Sequence, residues 1–201
     1  MIILFGLAGS GKGTQSKALS EFFGWRTFSV GQVIRDTGAY DDIIKNGDLI
    51  PDDDVISLMN RQIERAEAEG FDIILDGYPR DEYQAKWLVT NMRDKLDGAI
   101  ILEVPKSELY ERLSLRSTSE GRADDQSRSA IDHRFEIFEA NIGRILPLFA
   151  EHDIPVLKVD GVGEVGTVTG RLIAAVERVK PSATRQKDDV NGGEIEKSYG
   201  E

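Results

Sequence analysis

The chain places Gly6-Leu-Ala-Gly-Ser-Gly11-Lys12-Gly13-Thr14 directly after its first apolar run. Glycines let backbone N–H groups turn inward, a following helix adds the positive end of its dipole, and a lysine reaches terminal phosphates. The chemistry this predicts is the binding of nucleotide phosphates. The strict form of such a loop has Ser or Thr right after the lysine, whereas here Gly13 intervenes before Thr14. A second run, Ile73-Ile-Leu-Asp76, ends an apolar stretch with a carboxylate, the arrangement that sets an acid near a phosphate-bound Mg²⁺. Taken alone, an Asp closing a buried strand is as readily a turn starter.

Such a loop needs a strand before it and a helix behind it. Short apolar runs at 2–5, 73–75, 99–104 and 154–159, with a weaker one at 25–30, are bounded by Gly, Pro or Asp. Continuous rather than alternating apolarity predicts strands buried on both faces, as in a parallel sheet. Helical patterns at 12–23, 53–69, 131–149 and 165–179 separate them, and Gly24 and Pro181 act as stops. The fold expected is a doubly wound α/β domain with a five-stranded parallel sheet. It divides into a core (1–29, 61–113 and 130–180), a helical excursion at about 30–60 and a short polar lobe at about 114–129. Both lobes are candidates for closure over a site at the strand ends. Residues 181–201 are few in large apolar side chains and predict a disordered tail.

Composition narrows the partners. With 25 basic and 36 acidic residues the net charge is -11, which argues against a non-specific nucleic-acid or acidic-membrane binder. A local arginine cluster for an anionic substrate remains compatible with it. There are no cysteines, which excludes disulfides and Cys-ligated zinc. No stretch approaches the roughly 18 apolar residues of a membrane helix, and the first residues lack a basic leader, so a soluble, cytoplasmic monomer is expected.

The ordered motifs resemble the adenylate and UMP/CMP kinases. Gly6 to Gln15 is similar to that family's loop, including the Gly-Thr-Gln that breaks the strict form. Phe28-Ser-Val-Gly31-Gln-Val-Ile-Arg35 resembles its monophosphate-site segment, and Gly47-Asp-Leu-Ile-Pro-Asp52 the loop closing on the acceptor base. Asp76-Gly-Tyr-Pro-Arg80 with Gln84, then Arg112 and Arg116, then Gly121-Arg-Ala-Asp-Asp125 and Arg134 complete the series over residues 2–179. A lone arginine is usually a solvated surface charge; six at these spacings beside a phosphate loop form a set.

The resemblance implies phosphoryl transfer from Mg²⁺–ATP to AMP. It implies that Gly9, Ser10, Gly11, Lys12, Gly13 and Thr14 hold the donor phosphates, with Arg112 and Gly163 beside the donor nucleoside. Ser29, Val30, Gly31, Arg35, Leu49, Ile50, Gly77, Arg80 and Gln84 would hold AMP, Gln84 reading the base edge. Lys12, Arg80, Arg116, Arg122 and Arg134 would surround the transferred group, the last two also reaching AMP. Thr14 and Asp76 would stand near the metal, through water, and Asp124 and Asp125 would orient lid arginines. Arg128 competes for the Arg134 role, because the interval from Asp125 to Arg134 is one residue longer than usual.

Five residues separate Arg116 from Arg122, which points to the short-lid form without a zinc lobe. Val30 and Gln32 depart from the usual Thr and Asp of adenylate kinases, while Gln84 favours adenine. The acceptor expected is AMP, with UMP, CMP or broad use as the alternative and an inactive nucleotide-binding relative behind both. His133 and His152 are expected at the surface, and Trp25, Trp87, Phe22 and Phe23 in the core.

Overall fold

The computed structural model describes residues 1–38, 40, 43, 50–120, 125 and 127–183, with backbone only at 119 and 120. In chain order the elements are β1 (Ile2–Phe5), α1 (Lys12–Phe23), β2 (Arg26–Ser29), α2 (Val30–Arg35), α3 (Asp52–Ala68), β3 (Ile73–Asp76), α4 (Glu82–Met92), β4 (Gly98–Glu103), α5 (Lys106–Glu120), α6 (Arg128–Glu151), β5 (Val156–Asp160) and α7 (Val165–Val179). A single 3₁₀ turn, Arg93–Lys95, joins α4 to β4.

All five strands are parallel, in the order β2-β3-β1-β4-β5. Each of the four residues of β1 is buried, and their side chains alternate between two cores. Ile3 and Phe5 join Leu75 and Ile101 in a core packed under α2, α3, α4 and α6. Ile2 and Leu4 join Ile74 and Ile100 against α1 and α7. Burial on both faces explains why the runs are continuously apolar. A third, smaller core of Leu109, Leu113, Ile131 and Phe135 seals α5 to α6.

The chain leaves β1 toward β2 on one side and later fills β4 and β5 on the other, so strand order reverses at β1. Leu4 pairs with both Asp76 and Ile100, which aligns the carboxyl ends of β1, β3 and β4. A crevice opens at such a reversal, and the site sits there.

Strand and helix limits fall within three residues of those expected. Two helices were not legible. In α4 the buried row contains Gln84 beside Ala85, Leu88, Val89 and Met92, which dilutes the apolar stripe. Among the described residues of α5 the fully buried side chains are Leu109 and Leu113, and the polar stretch 114–120 continues that helix. Residues 36–51 contain no strand among those described. Trp25 and Phe23 are buried, Phe22 and Trp87 pack on the cores, and His133 and His152 are exposed. Of the expected tail, 184–201 lie outside the described residues.

Candidate active site

The loop from β1 into α1 is built by its glycines. Gly9 and Gly11 have φ of 82° and 92°, a region costly for residues with a Cβ. At Gly9 there is also no space, since a Cβ would lie 2.9 Å from Leu113 Cγ of α5. The back of the loop is thereby pressed against α5, the helix that carries Arg112 and Arg116. Lys12 Nζ donates to the carbonyls of Gly6 (2.7 Å) and Leu7 (3.1 Å), folded back over the loop. Burial lowers its pKa to about 8; Asp76 opposes this, and Arg134, Arg80 and Arg116 add to it. Ser10 Oγ is buried in the loop without a hydrogen-bond partner.

Glu108, Arg112 and Arg116 are spaced by four and share one face of α5. Arg112 donates to the carbonyls of Ser10 (3.4 Å) and Gly161 (3.1 Å) and pairs with Glu108, which fixes it at the mouth of the loop. Arg116 forks onto Asp125, Nε to Oδ2 at 2.5 Å and Nη2 to Oδ1 at 2.9 Å. Arg134 Nη1 reaches the same Oδ1 at 2.8 Å. Burial alone would raise the Asp125 pKa, but the bonds and charges of Arg116 and then Arg134 hold it below the usual carboxylate range.

Across the crevice, Gly31 in α2 is the meeting point of two more arginines. A Cβ there would lie 3.2 Å from Arg80 Nη2 and 3.4 Å from Arg35 Nη1. Gly77, with φ of 69°, lets the chain turn between Asp76 and Arg80 beneath Lys12 Cε and Val30 Cγ1.

Two cavities share this ground. One, of about 970 Å³, is lined by Gly9 to Gln15, Asp76, Arg112, Arg116 and Gly163, with Ser29 at its far edge. The other, of about 160 Å³, runs from Arg35 and Arg80 to an apolar end made by Ile34, Ile50 and the α6 residues Ile137, Phe138, Ile142 and Ile145. Lys12, Gly31, Arg35, Gly77, Arg80 and Arg134 line both. Cations thus converge where the two meet, and the outer ends differ in polarity. That layout suits two phosphate-bearing molecules laid end to end.

Most residues expected at the site are brought to these walls. Val30 lies beneath them, 1 % exposed. Gln84 is the departure: it is completely buried and lines neither cavity. Arg128 stands over the Tyr110 ring at 3.3 Å and pairs with Asp132, away from both cavities. Leu49, Arg122 and Asp124 lie outside the described residues. The α6 wall was missed from sequence, although Arg134, Phe138 and Ile142 recur at helical spacing and so share a face. Among the described residues no group of three or more His, Cys, Asp or Glu could cage a metal, and no helix is long and apolar enough to cross a membrane.

A glycine-rich loop between β1 and α1, a reversal of strand order and converging arginines define a P-loop phosphotransferase fold with two adjoining cavities. The family model described as "Adenylate kinase" matches residues 4–154, and the chain belongs to that family. A protein named adenylate kinase from Micrococcus luteus is 36% identical over 198 residues, covering 91% of this chain and 93% of the relative. Its counterparts from Maricaulis maris and Thermus thermophilus are 36% and 30% identical, over 88% and 87% of this chain and 98% and 96% of theirs.

Proposed function

We propose that this protein is an adenylate kinase, catalysing the reversible transfer of the terminal phosphoryl group of Mg²⁺–ATP to AMP to give two ADP. The observation that carries the reading is the convergence of Lys12, Arg80 and Arg134 where the two cavities meet. Phosphoryl transfer asks for in-line placement and neutralised charge rather than a covalent intermediate, and that is the equipment present.

In this reading the amides of Gly9 to Thr14 and the Lys12 ammonium take the donor phosphates, with Arg112 and Gly163 at the nucleoside end. Arg35 and Arg80 take the acceptor phosphate. Ser29, Gly31, Ile50 and Gly77 shape its pocket over Val30, and Leu49 belongs to that set. Arg116 and Arg134 leave Asp125 for the transferred group, joined by Arg122. Thr14 and Asp76 offer only hard oxygens, and a Cβ on Gly13 would lie 3.9 Å from Asp76 Oδ2, so the carboxylate faces the loop. Two such donors suit Mg²⁺ carried mainly by phosphates and water, with no zinc. When bound, the ion would neutralise charge on the donor phosphates.

The lobes at about 30–60 and about 114–129 close over the two substrates and exclude water. Less protection from hydrogen exchange in both lobes without a bisubstrate analogue than with it is the expected result. A cytoplasmic monomer acting on small molecules, with no nucleic acid or membrane partner, completes the reading.

One observation favours a second acceptor base. With Gln84 withdrawn into the protein, the small cavity ends in apolar side chains and offers, among the described residues, no neutral polar side chain to read a base edge. The deciding experiment is a coupled ADP-release assay with ATP–Mg²⁺ and AMP, UMP, CMP or GMP, beside Lys12→Ala. Turnover at least about tenfold higher with AMP, lost in the variant, is expected. Comparable turnover with a pyrimidine monophosphate would overturn AMP selectivity and keep the kinase. No turnover with any acceptor would overturn the kinase reading.

A further inference from the structure

The turn from β5 into α7 closes the outer end of the larger cavity, where Gly161, Gly163, Val165 and Val168 meet Arg112. At its two glycines the turn has no side chain, so what it offers a ligand there is backbone. At Gly161 a Cβ would lie 2.7 Å from Val104 Cγ2 and 2.8 Å from Leu102 Cγ, which presses the turn onto the end of β4. Gly163, with φ of 122°, has nothing within 4 Å of the corresponding position.

Most backbone groups of this turn are spent inside the protein. Gly161 N–H donates to the Glu103 carbonyl at 2.8 Å, and Gly161 C=O accepts from Arg112 at 3.1 Å. Val162 N–H donates to Asp160 Oδ1 at 3.0 Å. The carbonyls of Asp160 and Val162 both accept from Arg171 Nη1, at 3.0 and 2.7 Å. Glu164 C=O accepts the Val168 N–H at 3.1 Å, which opens α7. Among the described residues no hydrogen bond reaches the N–H or C=O of Gly163.

Arg171 does its part from outside the cavity. It lies in the second turn of α7, and side chains on a helix tilt toward its N-terminus, so a long one there reaches back over the preceding turn. Its Nη1 also stands 3.0 Å from Asp160 Oδ2, but both side chains of that pair are well exposed. An exposed ion pair contributes little, so the two charge-assisted carbonyl bonds are what ties the turn.

We infer that Arg171 is a positioning residue for the donor base: by taking up the carbonyls of Asp160 and Val162 it fixes the turn, and leaves the peptide groups of Gly163 as its spare backbone edge at the cavity. The inference rests on the reading of Gly163 as part of the donor-nucleoside site. Arg171 lines neither cavity and acts through the turn. A turn already held in its bound shape saves the cost of ordering it when the ligand arrives. Without the guanidinium, two carbonyls are released beside two glycines, and a base meets several loose acceptors in place of one fixed edge.

The test compares wild type, Arg171→Met and Asp160→Asn in kcat and in KM for ATP, GTP and AMP. Methionine keeps the apolar stem and removes the donors. In Arg171→Met, KM for ATP is expected to rise about fivefold with KM for AMP unchanged. The preference for ATP over GTP, read as the ratio of kcat/KM, should fall about threefold or more. ATP and GTP carry the same charge, so a mere loss of electrostatic attraction would weaken both alike and leave that ratio where it was. Asp160→Asn keeps the acceptor for Val162 N–H and both carbonyl bonds of Arg171, and loses only the ion pair, so it should keep the wild-type ratio. An unchanged ratio in Arg171→Met, an equal fall in Asp160→Asn, or a wild type indifferent between ATP and GTP would overturn the inference. Wild type without turnover on any acceptor would instead overturn the kinase reading. Displacement of a fluorescent ATP analogue by ATP and by GTP, from the same three proteins, would then read the same ratio.

Discussion

Gly31 shows how one missing Cβ shapes the acceptor end. The guanidinium groups of Arg80 and Arg35 approach within 3.2 and 3.4 Å of where that Cβ would be, and both are ends of flexible side chains. Gly31→Ala is therefore expected to leave the melting temperature within a few degrees of wild type and to raise KM for AMP about tenfold, by parting the two cations. Steady-state kinetics against AMP and against ATP separate the two effects, since only the first should change. Arg116 makes the complementary case on the donor side. Its fork onto both oxygens of Asp125 uses a geometry that a lysine lacks, so Arg116→Lys should lower kcat about hundredfold despite the retained charge. These identities were legible in the sequence, because a lysine or arginine beside a glycine-rich loop declares its chemistry by type. Their partners were not. Nothing local in residues 80–84 indicates that the Gln84 amide turns inward to Asp52, 32 positions earlier in the chain.

Among the elements, β1, the loop and α1 were legible together because their signals, an apolar run, spaced glycines and a helical pattern, follow one another directly in the chain. The helix α5 was not, since its register is set by α6 and by the back of the loop rather than by its own apolar stripe. That dependence has a measurable result. Leu113 is fully buried and its Cγ fills the space against Gly9. Leu113→Ala is expected to cost about 2–4 kcal/mol by denaturant titration, and to raise KM for ATP because the loop loses its backing. A stability loss with unchanged KM for ATP would show that the loop holds its shape without α5. The same helix carries Glu108, Arg112 and Arg116 on one face, so one element both backs the loop and presents the arginines.

Across the whole molecule, cations crowd the carboxyl ends of the strands, although the chain as a whole carries a net charge of -11. The opposite, amino-terminal ends of β3 and β4 are tied by Lys180, which follows α7 and reaches Asp72 at 2.9 Å and Asp97 at 3.0 Å. Burial works against its charge, but these carboxylates raise its pKa above the ordinary 10.5, while Asp97 is held below its ordinary 3.8 despite burial. The lysine's contribution is present below its ordinary pKa and lost as pH rises through the folded value; that of Asp97 is lost as pH falls through its lowered value. Lys180→Met should thus cost about 1–2 kcal/mol near pH ~7, less at either extreme, and leave kcat unchanged, as chemical denaturation and an assay of the same samples will show. Asp125, held by Arg116 and Arg134 at the other end, has a wider consequence. It is a resident anion, seated between the two arginines proposed to take the transferred group. Small anions abundant in a cell meet two arginines that already share one carboxylate, and a single negative charge gains little by exchange with it. Only a ligand anchored elsewhere, bringing several charges to that point at once, displaces the carboxylate, so the empty enzyme is shielded from the commonest ions it meets.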